Sequence, residues 1–413
     1  MTLKGNTIMT KEAPIAVVGT FDSKGEEHHF LKARIQQREC SAITINVGTK
    51  RPPSHAVDID LYREMAEKKD GLSRDQVIRE VISQGRTLIR RLYENREISG
   101  VISAGGGTGT YISTSIMHVL PLGVPKVMVS TVASRNMSET VGVKDITMMH
   151  SVSDILGINT ITGRILDNAA GAICGMVKNR WETASTKKRV ALSFFGFITR
   201  AAENVKENLE NMGYEVVPFH ANGTGGMAMM ELAAEGYFHG IFDLATHELA
   251  DAFMDGYCGG IGQKRFEPVQ GQEIPRLIIP GGMDCIVLEF TRDNIPPEIR
   301  DRKIFFYDFR SAIRVNADES RLLAGQLSQK LNMDPKNVRV LIPLKGFSEA
   351  DQENGPLHDP ATADVFVNAL KEGLTPGITV ETTDLHINDP SFAERASSVM
   401  DKMIKRSGTD QTP

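Results

Sequence analysis

Short, β-rich apolar runs alternate with longer stretches of helical spacing along nearly the whole chain. In the first half the runs are residues 15–18, 42–47, 100–104 and 126–131, and the helical stretches between them are 25–38, 74–94 and 111–120. Short runs without polar alternation predict strands buried on both faces. Helices long enough to cross back between them make the sheet parallel. Residues 152–178 keep helical spacing and are rich in alanine and glycine, which suits close helix packing. The polar stretch from Asn179 to Arg189 is the best linker, and it predicts domains at 1–185 and 186–413. Beyond it the pattern restarts, with strands predicted at 190–195, 214–221, 240–244, 276–279, 339–343 and 378–383. Helices are predicted from Thr199, from Met227 and over 392–405. The predicted class is α/β, each half an open, mainly parallel sheet with helices on both faces. A barrel of eight βα units would space its repeats evenly, and the loop-rich interval 250–276 breaks that spacing. Residues 1–13 and 407–413 read as tails.

Composition narrows the function. With 413 residues the chain exceeds one ordinary core, in line with two or three domains at ~100–200 residues each. A hydrophobic fraction of 41% and a charged fraction of 24% are those of a globular protein. A net charge of −5 leaves no basic footprint for nucleic acid. No apolar run is long enough for a membrane helix, and the N-terminus lacks a signal core, which predicts a cytoplasmic protein. Cys40, Cys174, Cys258 and Cys285 are far apart, without CxxC or zinc spacing, and read as free thiols in a reducing compartment. No resident metal is assigned from the sequence.

The chemistry-bearing motif occurs twice. An apolar run leads into Gly105-Gly106-Gly107-Thr108-Gly109-Thr110 in the first half and, past His220 and Asn222, into Gly223-Thr224-Gly225-Gly226 in the second. A glycine loop between strand and helix points unpaired N–H groups and the positive end of the helix dipole at one spot, which suits phosphate or carboxylate. The first loop matches neither GxGxxG nor the P-loop, which requires a lysine after its last glycine. A tight turn would be the plain alternative, but three consecutive glycines exceed what a turn requires. Thr108 and Thr110 would add hydroxyl donors. In a doubly wound sheet, ligands sit beyond the carboxyl ends of the strands, so Gly19, Thr20 and Lys24 at the first strand end share the predicted rim. The second strand ends Asn46-Val47-Gly48-Thr49, without the acidic residue of an NAD fingerprint, which argues against a dehydrogenase.

In the second half His220, Asp243, His247, Glu248 and Asp284 fall at predicted strand ends, a set suited to acid–base work or a metal unless they are only caps. Gly223, Thr224, Gly225 and Gly226 are predicted to hold the substrate. His358, and His386 with Asn388 on one face of an extended segment, are further candidates for substrate contact. His220, His386 and Asp284 are the catalytic candidates.

The pieces GTFDSKGEE (19–27), SAGGGTGT (103–110), LPLGVPKVMVSTVAS (120–134), DITMMHSVSDILGIN (145–159), FHANGTGGMAMMELAAEG (219–236), HDP (358–360) and DLHINDPSF (384–392) follow one another over nearly the whole chain. In them the chain resembles the ATP-binding family typified by the inhibitory N-terminal region of a plant tobamovirus-resistance protein, which has many uncharacterised bacterial members. The resemblance implies two Rossmann-like domains, often in a homodimer, with ATP or ADP in the first. It implies a nucleotide site of Gly19, Thr20, Asp22, Lys24, Thr49, Arg74, Gly105, Gly106, Gly107 and Thr108. The chain departs from the family pattern at Phe21, Ser23, Thr108 and His247.

The leading expectation is an ATP- or ADP-binding protein whose second domain binds or transforms a small anionic metabolite. Mg²⁺ would accompany ATP in an enzyme, because few basic residues are at hand to neutralise phosphates, and Asp22 is the nearest carboxylate. The alternative is a nucleotide-gated protein-binding module without turnover, which a large exposed apolar patch on the second domain would favour.

Overall fold

The computed structural model describes residues 13–64, 71–179, 181, 186–262 and 264–409. Residues 1–12 and 410–413 of the expected tails, and residues 180 and 182–185 of the linker, lie outside them. The chain divides into two compact units, 1–183 and 184–413, each with its own six-stranded sheet.

The first unit runs β1 (Ile15–Gly19), α1 (Gly25–Gln36), β2 (Ala42–Asn46), β3 (Ile59–Asp60), α2 (Leu61–Glu64), α3 (Arg74–Glu94), β4 (Gly100–Gly105), α4 (Gly107–Met117), β5 (Lys126–Ser130), α5 (Ser138–Val141), β6 (Thr147–His150) and α6 (Thr160–Lys178). Its strands are all parallel, in the order β3-β2-β1-β4-β5-β6, which is the dinucleotide-fold order. Side chains alternate across the sheet, so each strand feeds two cores. Ala16, Val18, Val101 and Met128 pack with Val81, Ile89, Ile112 and Ile116 of α3 and α4. Ile15, Val17, Ile102 and Val127 pack with Leu31, Ile35, Leu166 and Ile173 of α1 and α6. Two buried faces explain why the sequence shows continuous apolar runs.

The second unit runs β7 (Arg189–Phe194), α7 (Thr199–Asn211), β8 (Glu215–His220), α8 (Gly225–Ala234), β9 (Gly240–Ala245), α9 (Glu248–Phe253), β10 (Arg276–Gly281), β11 (Cys285–Leu288), β12 (Ile304–Phe306), β13 (Ser311–Arg314), α10 (Ala317–Leu331), β14 (Val338–Pro343), α11 (Pro360–Gly373), β15 (Thr379–Thr383) and α12 (Pro390–Thr409). Six parallel strands take the order β15-β14-β10-β9-β7-β8. Helices α7 and α12 cover one face through Val205, Leu209, Phe392 and Met400. On the other, α8 packs through Met229 and Ala233 against Ala191 and Ile241, and α10 and α11 through Leu323 and Phe366 against Ile278 and Val340. A small antiparallel sheet, β11-β13-β12, is inserted after β10.

The α/β class with two mainly parallel sheets is thus the observed one. Several local expectations change. The helix expected over 152–178 begins only at Thr160, because Asn159 accepts from the N–H groups of Ile161 and Thr162 and starts it there. The helices expected from Tyr111 and Met227 begin inside their glycine bursts, at Gly107 and Gly225. Part of the loop-rich interval is helical, as α9. Among the described residues, no helix is long and apolar enough to cross a membrane.

Candidate functional site

In the first sheet the chain winds outward from β1 in one direction and from β4 in the other, so a crevice opens beyond the carboxyl ends of those two strands. Gly19 ends β1, and Gly105 ends β4. Gly106 then caps α4 without a side chain to serve it, whereas Asn159, Asn316 and Asp359 cap α6, α10 and α11 with theirs. The first backbone bond of the helix is Thr110 N–H to Gly106 O at 2.8 Å. The N–H groups of Gly107, Thr108 and Gly109 have no partner within the helix and meet the positive end of its dipole.

Internal packing accounts for only part of this loop. A Cβ at Gly105 would come within 3.1 Å of Gly109 Cα, yet one at Gly107 or Gly109 would meet nothing within 4 Å. At Gly106 it would meet only Thr131 Oγ1, at 3.7 Å. Thr108 is exposed, whereas Thr110 is buried and its hydroxyl pairs with Ser130 Oγ at 2.7 Å. Of the two threonines expected as donors, the structure therefore leaves Thr108 facing out and commits Thr110 to the core.

The opposite lip is braced from below by a residue that sequence reasoning missed. His28 is fully buried, with Nδ1 2.6 Å from Lys24 O and Nε2 accepting from Ala104 N–H at 3.4 Å. That network assigns the proton to Nδ1, and burial holds the pKa below the usual imidazole value. A Cβ at Gly19 would lie 2.0 Å from His28 Nε2, so the glycine that ends β1 is there for this histidine. Its only sequence signal is its place in the first turn of α1, just after the strand end.

Other rim residues are also engaged internally. Asp22 Oδ2 accepts from the N–H groups of Thr49 (3.1 Å) and Lys50 (2.9 Å), and its carbonyl takes Arg51 Nε. Asp22 thus ties the segment after β2 to the segment after β1. Lys24 donates to the Ile155 carbonyl, and Thr20 Oγ1 accepts from Ser23. Arg74 is exposed in the first turn of α3. The neighbouring loop 151–159 contains Val152 at φ +62°, a backbone region that β-branched residues rarely adopt.

In the second sheet the winding reverses between β7 and β9. The glycine loop here is built differently, because internal packing demands each glycine. Gly223 has φ +91°, a Cβ at Gly225 would lie 1.9 Å from His220 O, and one at Gly226 would lie 2.3 Å from Glu248 Oε2 and 2.5 Å from Arg265 Nε. Glu248 Oε1 accepts the Gly223 N–H at 2.9 Å, and Asn222 Oδ1 serves Thr224 and Gly225. These glycines, expected to hold substrate, hold the protein's own carboxylate and arginine.

The arginine concerned, Arg265, was not foreseen. It is fully buried, with Nη1 and Nη2 on Asp243 at 2.8 and 2.5 Å and Nε on Glu248 at 2.8 Å. Ser193 Oγ also donates to Asp243 Oδ1. The two carboxylates raise the guanidinium's pKa further. In the sequence it sits in the polar stretch Gln263-Lys264-Arg265 and carries no mark of burial.

The remaining candidates separate. His220 is exposed at the end of β8, its edge against Phe194 at 5.8 Å. His247 is fully buried and stacked on Phe195 at 3.8 Å. Asp284 lies apart from the Asp243–Glu248 pair: its Oδ2 accepts from Ser348 Oγ at 2.7 Å, and burial with Asp351 nearby pushes its pKa up to about 7. The extended segment expected at 384–389 is instead a turn. Asn388 donates its N–H to His386 Nδ1, His386 Nε2 meets Ser348 O, and Asn388 Oδ1 accepts from Ala201 N–H. His386 and Asn388 therefore do not present one common face. His358 Nδ1 lies 3.1 Å from Asp351 O.

Family models match both units: the uncharacterised protein family (UPF0261) N-terminal domain over residues 13–182 and its C-terminal domain over 187–404. A UPF0261 protein of Clostridium tetani is 34% identical over 95% of this chain and 99% of its own length. The ToMV resistance protein Tm-1(GCR237) of Solanum lycopersicum is 34% identical over 73% of this chain and 41% of its own length. Among solved structures, a UDP-N-acetylglucosamine 2-epimerase aligns over 98% of this chain and 99% of its own, at 10% identity and a TM-score of 0.24, too low to bear on function.

Proposed function

The chain belongs to the uncharacterised protein family UPF0261, and we propose that its first unit binds the phosphates of ATP or ADP at the amino end of α4. The observation that carries this reading is the set of glycines at the crevice of the first sheet: Gly107 and Gly109 face open space, Gly106 would make only an ordinary contact with Thr131, and nothing in the chain's own packing demands them. Glycine at such a position lets a ligand reach the backbone N–H groups. Lys24 and Arg51 donate to the carbonyls of Ile155 and Asp22, so phosphate charge falls chiefly to backbone N–H groups and to Mg²⁺ arriving with the nucleotide. In this reading the protein is a cytoplasmic homodimer whose second unit takes a small anionic metabolite. His220 is the best-placed acid–base group there, because the ring nitrogens of His386 are engaged with backbone.

Calorimetric titration of the full chain with ATP, ADP and NAD, with and without Mg²⁺, tests the reading. Saturable binding of ATP or ADP, with NAD weaker, is the expected outcome. Binding of NAD alone would replace the reading with a dinucleotide enzyme, and no binding of any of the three would remove it.

A further inference from the structure

One cluster in the second unit is unexplained by packing and independent of the nucleotide reading. His247 precedes α9, Asp251 follows one turn later, and the loop after α9 brings back Cys258. One ligand atom from each lies within 4.8 Å of the others, and all three residues are buried. Neither ring nitrogen of His247 has a hydrogen-bond partner. An imidazole stripped of water with both nitrogens unserved is costly, and buried polar groups of this kind are rarely left without a partner. The chain nonetheless builds tightly around it. A Cβ at Gly282 would touch His247 Cβ at 2.7 Å, and one at Gly256 would lie 2.9 Å from Asp251 Cγ. Asp251 is fixed in place, Oδ1 accepting from Val287 N–H at 2.8 Å and Oδ2 from Cys258 N–H at 2.9 Å. Each oxygen keeps a lone pair.

We propose that His247, Asp251 and Cys258 are the protein ligands of a transition-metal ion of the zinc class. One nitrogen, one carboxylate oxygen and one sulfur suit a borderline cation, and three ligands leave a fourth position for water or a bound anion, the pattern of catalytic rather than structural zinc sites. Zinc bonds of about 2.0–2.3 Å set tetrahedral ligand atoms about 3.3–3.8 Å apart, and atoms already within 4.8 Å of one another need at most a small closure to reach that spacing. Burial sets the charge state of the metal-free cluster: His247, with His220 and Arg265 also acting on it, is pushed down to about 3 and stays neutral, Asp251 rises to about 7, and the Cys258 thiol rises well above its usual value. The ion supplies the missing positive charge, and binding expels the Cys258 proton and any proton on Asp251.

The test uses the full chain, made metal-free by chelation and loaded with Co²⁺ or Zn²⁺, both by direct addition and by refolding from urea with the metal present. The expected result is one equivalent of metal per chain and a thiolate-to-cobalt charge-transfer band. Cys258→Ser should abolish the band and Cys285→Ser keep it, with the metal-free thermal midpoints close to that of the parent. His247→Gln should weaken zinc binding at least 10-fold. A metal content at background after both loading routes, or an unchanged band in Cys258→Ser, would overturn the proposal.

Discussion

Gly106→Val is expected to abolish measurable ATP and ADP binding while the protein stays folded. The extended backbone at this position (φ −81°, ψ −165°) accepts a β-branched residue. The only neighbour of a new Cβ is Thr131 Oγ1 at 3.7 Å, an ordinary contact. The valine methyls would instead stand over the first-turn N–H groups of α4 and block the approach of a phosphate. A loss of at least about 100-fold in affinity, or about 2.8 kcal/mol, is expected by calorimetry, with a thermal midpoint within about 2 °C of the parent. Gly107→Ala serves as the milder control, since its Cβ meets nothing within 4 Å. Normal affinity in Gly106→Val would mean that the loop does not hold the nucleotide.

The largest loss of stability is expected from Arg265→Met. The guanidinium is buried between Asp243 and Glu248, so its removal leaves two carboxylates out of water with no positive partner. Breaking one buried pair this way costs about 3–5 kcal/mol, and two carboxylates share this arginine, which puts the cost at the upper end of that range. A domain typically has about 5–15 kcal/mol in all. The second glycine loop should loosen with it, because Glu248 holds the Gly223 N–H and Gly226 closes over Arg265 Nε. The calorimetric transition of the second unit should fall or vanish, and ADP affinity in the first unit should persist. Adding Asp243→Asn and Glu248→Gln should recover part of the loss by removing the stranded charges. A midpoint unchanged in the single variant would show that the network contributes little.

These two cases mark what the sequence carries and what it hides. The strands of both sheets are legible because each is covered on both faces, so that Ile15 through Val18 feed opposite cores as an unbroken apolar run. The three-residue β12 and four-residue β13 are too short to show a period, and they pair only through the inserted sheet. Helices α4 and α8 start within glycines that propensity would place in loops, and there packing overrides propensity. Helix α10 carries its start signal in the sequence, because Asn316 and Glu319 form a capping box ahead of it.

The site divides in the same way. The glycine bursts are visible in one dimension, but their difference is not. One faces open space, and the other closes over Glu248 and Arg265, a distinction set by residues far away in sequence. His28, Arg265, Asp251 and Cys258 carry no local signature, since a buried ionisable group looks like a surface one until its partners are placed.

Hydrogen–deuterium exchange across the full chain, with and without saturating ADP, tests the nucleotide site most directly. Slowed exchange in peptides covering residues 104–110 and 19–24, with 223–226 unchanged, is the expected result. Protection confined to the second loop, or none in the first at saturation, would contradict a phosphate cradle at the amino end of α4.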